Sequence, residues 1–154
     1  MSTLGDLLGN KADDLVRCTI TVGDVHIVSL SKSEGITPKD GKDSRDKFLI
    51  VLGFDKDGNV IGGIVINSKV NLQLPSYITD YLMPVSKQQL PFLRHDSFVN
   101  CSHLVTVHKD KFNRATFRGK IEDDELMELI VGTVTHNPYI SRQQLKEFGI
   151  IKEQ

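Results

Sequence analysis

A chain of 154 residues, 39% hydrophobic and 25% charged, is long enough to bury one core and ordinary in composition for a globular domain. Its formal net charge of −1 argues against holding duplex DNA through its phosphates, which needs a basic excess; a local basic groove remains open because charges segregate by face. No apolar run approaches the roughly 18 residues that cross a bilayer, so no membrane partner is expected.

The opening stretch MSTLGDLLGNKADD has no basic region followed by an apolar run, and does not read as a secretory signal. Cys18 and Cys101 have neither metal-ligand spacing nor disulfide density. Both read as small buried apolar residues, and the pair points to a reducing, cytoplasmic setting. Residues 2–9 can form one or two helical turns, with Ser2 as cap and Leu4, Leu7 and Leu8 on one face. Val16, Cys18, Ile20 and Val22 alternate with Arg17, Thr19 and Thr21, which predicts a strand over 15–22. Gly23-Asp24 breaks it, and 25–30 is the next strand. Residues 31–46 are polar and carry Gly35, Pro38 and Gly41, so they read as a long exposed loop. Its cations Lys32, Lys39, Lys42 and Arg45 could cover a phosphate chain. In the plainer alternative of a solvated flap they are balanced by Glu34, Asp40, Asp43 and Asp46.

Two runs rich in Val, Ile, Leu and Phe, 47–54 and 60–67, flank Asp57-Gly58 and predict a β-hairpin. A two-residue type I′ turn would set Lys56 opposite Asn59 and Lys47 opposite Ser68. A type I turn with a glycine bulge would set Asp55 opposite Asn59 and Lys47 opposite Asn67. Either register brings a cation beside a small polar side chain at the open end, with Cβ atoms about 5 Å apart. The plain reading of Lys47 is an exposed lysine that deters strand aggregation. Both faces of the hairpin are apolar: Leu49, Val51 and Val65 on one, Phe48, Ile50 and Leu52 on the other. Cover on both sides is expected, from a barrel interior and from a helix or second subunit.

Pro75, Pro84 and Pro91 cut the following segment into short pieces, with a helical turn or short strand over 77–83 and an extended run at 81–85. A strand is predicted over 98–107, a turn at 109–114 and a short last strand at 115–121 around Gly119. Leu126, Leu129, Ile130 and Val134 recur at helical spacing over 123–134, and Asp123, Asp124 and Glu125 suit the positive end of that helix rather than a metal. Ser141 and Gln144 form a capping box for a second helix, 142–148, stopped by Gly149. The expected architecture is a single mainly-β domain over 1–154, a strongly curved antiparallel sheet or barrel packed by C-terminal helices.

Taken in order, several segments resemble the MazF/PemK family, the toxin ribonucleases of toxin–antitoxin modules. Gly23-Asp24-Val25-His26-Ile27-Val28 is similar to the family's opening strand, and a long loop follows it. Lys47-Phe48-Leu49-Ile50-Val51-Leu52 is similar to the strand that usually opens Arg-Pro. Val65-Ile66-Asn67-Ser68 resembles the strand that ends in Thr-Ser or Thr-Thr. Asp96-Ser97-Phe98-Val99, with Leu104, Thr106-Val107 and Lys109, resembles the family's most recognisable segment, and Gly119-Lys120-Ile121 with the helix after it fits the remainder. The likeness spans about 23–135, leaving 1–22 and 136–154 as extensions. It implies an SH3-like curved β-barrel, a homodimer, single-stranded RNA as substrate and an antitoxin peptide as partner. At the family's arginine this chain has Lys47, Phe48 stands for the proline, and Asn67 takes the usual threonine position with Ser68 beside it. Arg45 is nearby but two positions out of register.

Cutting RNA without a metal needs a base for the 2′-hydroxyl, charge stabilisation at the phosphorane and an acid for the leaving oxygen. On the resemblance, Lys47, Asn67 and Ser68 are the residues for charge and orientation, with Arg45, Lys32, Lys42 and Lys69 as RNA contacts. Proton transfer calls for a histidine. Among His26, His95, His103 and His108, His95 beside Asp96 is the catalytic candidate, and His103 reads as a structural hydrogen-bonder. No phosphate-binding loop, dinucleotide fingerprint, His-x-x-x-His or Cys-x-x-Cys pair is present, so no cofactor or metal is expected. Gly62-Gly63 reads as a strand kink where backbone approaches closely. The alternative function is a barrel of the same fold that has lost cleavage and binds a peptide or protein; a structural subunit is a weaker third.

Overall fold

The computed structural model describes residues 20–32, 44–69 and 73–152. The expected helical turns at 2–9, strand positions 15–19 with Cys18, and the loop cations Lys39 and Lys42 lie outside these residues. Residues 20–22 are not strand. The Asp24 carboxylate accepts from Thr21 N at 2.9 Å and from Thr21 Oγ1 at 3.1 Å, a local bond that competes with sheet pairing.

Among the described residues there are six strands: β1 Asp24–Ser31, β2 Ser44–Phe54, β3 Val60–Asn67, β4 Leu82–Val85, β5 Ser97–His108 and β6 Phe117–Lys120. They form one antiparallel sheet in the order β4-β5-β3-β2-β1-β6. Among the described residues three α-helices accompany it, α1 Ser76–Thr79, α2 Asp124–Thr135 and α3 Arg142–Glu147. Among the described residues the sheet does not close by hydrogen bonding; β4 and β6 are its two edges. Curvature nevertheless brings β6 toward the segment after β4, where a Cβ on Gly119 would lie 3.2 Å from Phe92 Cδ1.

The central hairpin takes neither expected turn. Asp55 N donates to Val60 O at 3.0 Å and Gly58 N donates to Asp55 O at 3.0 Å. This is a four-residue loop with Gly58 at φ +72°, a backbone conformation that glycine adopts without a Cβ penalty. Asp55 Oδ1 accepts from Asn59 N and Val60 N and stabilises the longer loop. Pairing starts with Phe54 opposite Ile61 and Gly53 opposite Gly62; a bulge at Leu52 then shifts it, so that Val51 meets Gly63 and Phe48 meets Ile66. That shift sets Lys47 against Asn67 at the open end.

The bulge has a tertiary cause. Phe54 N donates to Phe148 O at 3.0 Å, and a Cβ on Gly53 would overlap that same carbonyl. The Phe148 ring covers Gly62, where a Cβ would lie 2.8 Å from Phe148 Cγ, and a Cβ on Gly63 would overlap Ile50 O. Gly62-Gly63 is thus a place of close approach, as expected. A second irregularity lies in β5: Gly63 pairs with Val105 but Val65 with Asn100, so the ladder between them is broken. Asn137 Nδ2 donates to the carbonyls of Cys101 and Ser102 there, at 2.9 and 3.1 Å, replacing the partners the ladder lost.

The sheet carries a core on each face. Ile50, Leu52, Ile64 and Ile66 pack against Leu126, Ile130, Val134, Leu145 and Phe148 from the helical end of the chain. Leu49, Val51 and Val65 pack on the other side with Leu30, Val107 and Phe112. Both faces of the hairpin are therefore buried by this chain itself. Asp123 caps α2, its carboxylate accepting from Leu126 N at 3.2 Å, and Ser141 caps α3. Leu129, read from its spacing as inward, is 57% exposed; α2 buries only Leu126, Ile130 and Val134.

Candidate functional site

The open end of the β2–β3 hairpin meets the segment joining β4 to β5. That segment has little regular structure, yet its own bonds hold it. Leu90 N and Gln89 N donate to Ser86 O at 3.1 Å, and Leu93 N donates to Leu90 O at 3.0 Å. Asp96 Oδ1 accepts from Lys87 N at 2.8 Å, and Ser97 Oγ donates to His95 O at 3.0 Å. Leu90 and Leu93 are buried, and Phe92 packs on Phe48 with ring centroids 5.6 Å apart. These anchors leave Arg94 and His95 exposed beside the hairpin.

Between the two elements lies a cavity of about 170 Å³. Phe48, Ile66 and Leu93 form its apolar lining, and Ser68 and Ser97 add hydroxyls. Arg45, Lys47, Arg94 and His95 line it as well, with Asp46 as the one carboxylate among the described residues. Among the described residues, three permanent cations against one acid make a positive spot on a chain whose total charge is −1. A phosphate-bearing ligand suits that charge, and the apolar lining suits a flat ring.

Four predicted residues, Arg45, Lys47, Ser68 and His95, therefore share one cavity. Lys47 Nζ donates to Asn67 Oδ1 at 3.0 Å, as the second register required. Asn67 itself is not part of the lining: alternation along β3 directs it and Ile66 to opposite faces. Lys32 and Lys69 are exposed and do not reach the cavity, and Lys42 lies outside the described residues. The sequence reading missed Arg94, and treated Asp46 only as loop charge. The signal available for Arg94 was its place next to His95 in a short polar run before β5.

His95 is not oriented by the Asp96 carboxylate. Its Nδ1 lies 3.1 Å from the Asp96 carbonyl oxygen, which can only accept, so Nδ1 carries the proton and Nε2 is the basic nitrogen. His26, His103 and His108 have structural positions. His26 is fully buried, edge-on to Phe112 and Phe117, with Nδ1 2.8 Å from Thr116 Oγ1. Burial holds its pKa below the ordinary imidazole value, Asp24 opposing and Arg118 reinforcing the effect. His103 Nδ1 contacts Ser102 Oγ at 3.1 Å, and burial lowers its pKa too. His108 Nδ1 accepts from Asp110 N in a short 3-10 turn. Cys101 is no nucleophile: burial pushes its thiol up to about 12.

No protein-family model matches this chain, and no curated protein matches it either.

Proposed function

We propose that this protein is a MazF/PemK-like toxin, a metal-independent endoribonuclease for single-stranded RNA, built on an SH3-like curved barrel. The observation that carries the reading is the cavity at the open hairpin end, where Arg45, Lys47, Ser68 and His95 converge from three separate stretches of sequence. The curl that brings Phe92 to Gly119 supports the barrel-like form, with side-chain packing in place of a closing strand pair. In the proposed reaction His95 Nε2 takes the proton of the 2′-hydroxyl, and the 2′-oxygen attacks phosphorus. The bond from phosphorus to the 5′-oxygen breaks, that oxygen takes up a proton from water, His95 gives its proton back to solvent, and a 2′,3′-cyclic phosphate remains. The cationic rim stabilises the charge that builds on the phosphorane, and the Ser68 hydroxyl donates to a phosphate oxygen. An antitoxin peptide and a second copy of the chain are the partners this reading proposes, in the cytoplasm.

The test is cleavage of a labelled single-stranded RNA by purified protein with chelator present. Parent protein is expected to cut, and His95→Ala to lose about 100-fold or more of the rate. Chelator-sensitive cutting, or full activity in His95→Ala, would overturn this reading.

A second reading, a cleavage-inactive binding module for a peptide, has its own support in the surface tyrosines. Tyr77 and Tyr139 are exposed with ring centroids 5.5 Å apart, and Tyr81 lies edge-on to Tyr139 at 6.4 Å. Tyrosines of this kind recur at interfaces because the ring is apolar and its hydroxyl is polar. Peptide capture without any RNA cleavage would favour this module.

A further inference from the structure

We infer that Arg94, rather than Lys47, is the residue that clamps the substrate phosphate in this cavity. The inference rests on the reading of the cavity as a site for single-stranded RNA. Lysine at the hairpin position gives a point charge, whereas a guanidinium offers two parallel donors to one phosphate. Lys47 is also committed elsewhere. Its ammonium donates to Asn67 Oδ1, and Asn67 is not part of the cavity lining.

Arg94 differs on each count. It lines the cavity together with Ser68 and His95, and its side chain makes no hydrogen bond or ion pair among the described residues. Its mount is firm, with buried Leu93 on one side, the Ser97–His95 bond on the other, and Phe92 packed between Phe48 and Gly119. The guanidinium thus comes from the β4–β5 segment, while the hairpin end supplies the apolar surface and the hydroxyl. Among the described residues Asp46 is the only acid in the lining, so a phosphate there meets one like charge against the cations. Arg45 and Lys47 also line the cavity, but from the hairpin strand β2, whereas Arg94 sits beside His95 on the β4–β5 segment.

The experiment uses the full chain and two single-stranded RNAs of the same sequence. One is ordinary RNA; the other is 2′-O-methylated throughout, which binds but cannot be cut because its 2′-oxygen carries no proton to lose. Arg94→Ala and Arg94→Lys are compared with Lys47→Ala. Arg94 is exposed, so both replacements are expected to fold, and circular dichroism checks it. Expected are affinities for the methylated RNA about 10- to 100-fold weaker in Arg94→Ala. Its salt slope should be shallower by about 0.7, one single-strand phosphate contact. Arg94→Lys should keep the salt slope and still lose cleavage, and added guanidinium ion should restore part of the cleavage in Arg94→Ala. Lys47→Ala should be the milder variant in both assays.

Parent-like binding and cleavage in both Arg94 variants would overturn the inference and leave the ribonuclease reading intact. Arg94-dependent binding of the methylated RNA by a parent that cuts nothing would uphold the clamp and overturn the ribonuclease reading. A parent that neither binds nor cuts would overturn both.

Discussion

Asn137 does more for the sheet than its place after α2 indicates. It is buried, and its amide donates to two carbonyls that the β5 irregularity leaves without ladder partners. Its own Oδ1 accepts from Tyr139 N at 2.8 Å, so both ends of the amide are used. Asn137→Asp keeps size and acceptor but puts an oxygen where the donor was. Two buried carbonyls then lose their partner, at a cost of about 2–4 kcal/mol. Urea unfolding of the two proteins measures it, and a parent-like midpoint in the variant would refute the bridging role. Nothing in local sequence marks this residue, because its partners lie 35 and 36 positions away.

Among the elements, the hairpin carries the site, and the end of α3 sets its register. Phe148 contributes a carbonyl to Phe54 N and a ring over Gly62, and Gly53 leaves room for the carbonyl. Gly53→Ala would force that contact apart. The expected loss is about 2–3 kcal/mol, seen as a fall of about 5–10 °C in Tm. An unchanged Tm would mean that Phe148 does not hold the bulge. The hairpin's existence, strands and cover on both faces were legible from two apolar runs around Asp57-Gly58. Its register was not. The two alternatives differed in turn type, and the actual pairing depends on a bulge placed by Phe148, nearly a hundred residues later. The Lys47–Asn67 contact matches one alternative, although the turn that produces it is a four-residue loop that neither assumed.

Across the whole molecule, the buried histidines couple folding to pH. The unfolded chain binds protons at His26 and His103 with ordinary imidazole affinity, near 6.5, and burial weakens that binding in the fold. The unfolded state thus holds more protons below that value, so stability is complete above about pH 6.5 and declines as pH falls through it. Each histidine contributes at most about 1.4 kcal/mol per pH unit, and His103 less because it is only half-buried. Denaturant midpoints at pH 7.5 and 5.5 measure the decline, and His26→Gln should flatten it. A parent equally stable at both values would contradict this account.

From its residue pattern alone, this chain determined a mainly-β fold, the order of its strands and helices from Asp24 onward, the caps Asp123 and Ser141, and the pairing of a cation with a small polar group at one hairpin end. Those features depend on alternation, helical spacing and turn chemistry, which act over a few neighbouring residues. Only the tertiary structure decided that the six-stranded sheet stays open at its edges, that Phe148 sets the hairpin register, and that Arg94 and His95 share a cavity with Ser68. These depend on contacts between segments far apart in the chain, where packing and the pairing of buried polar groups choose among arrangements that local patterns leave equal.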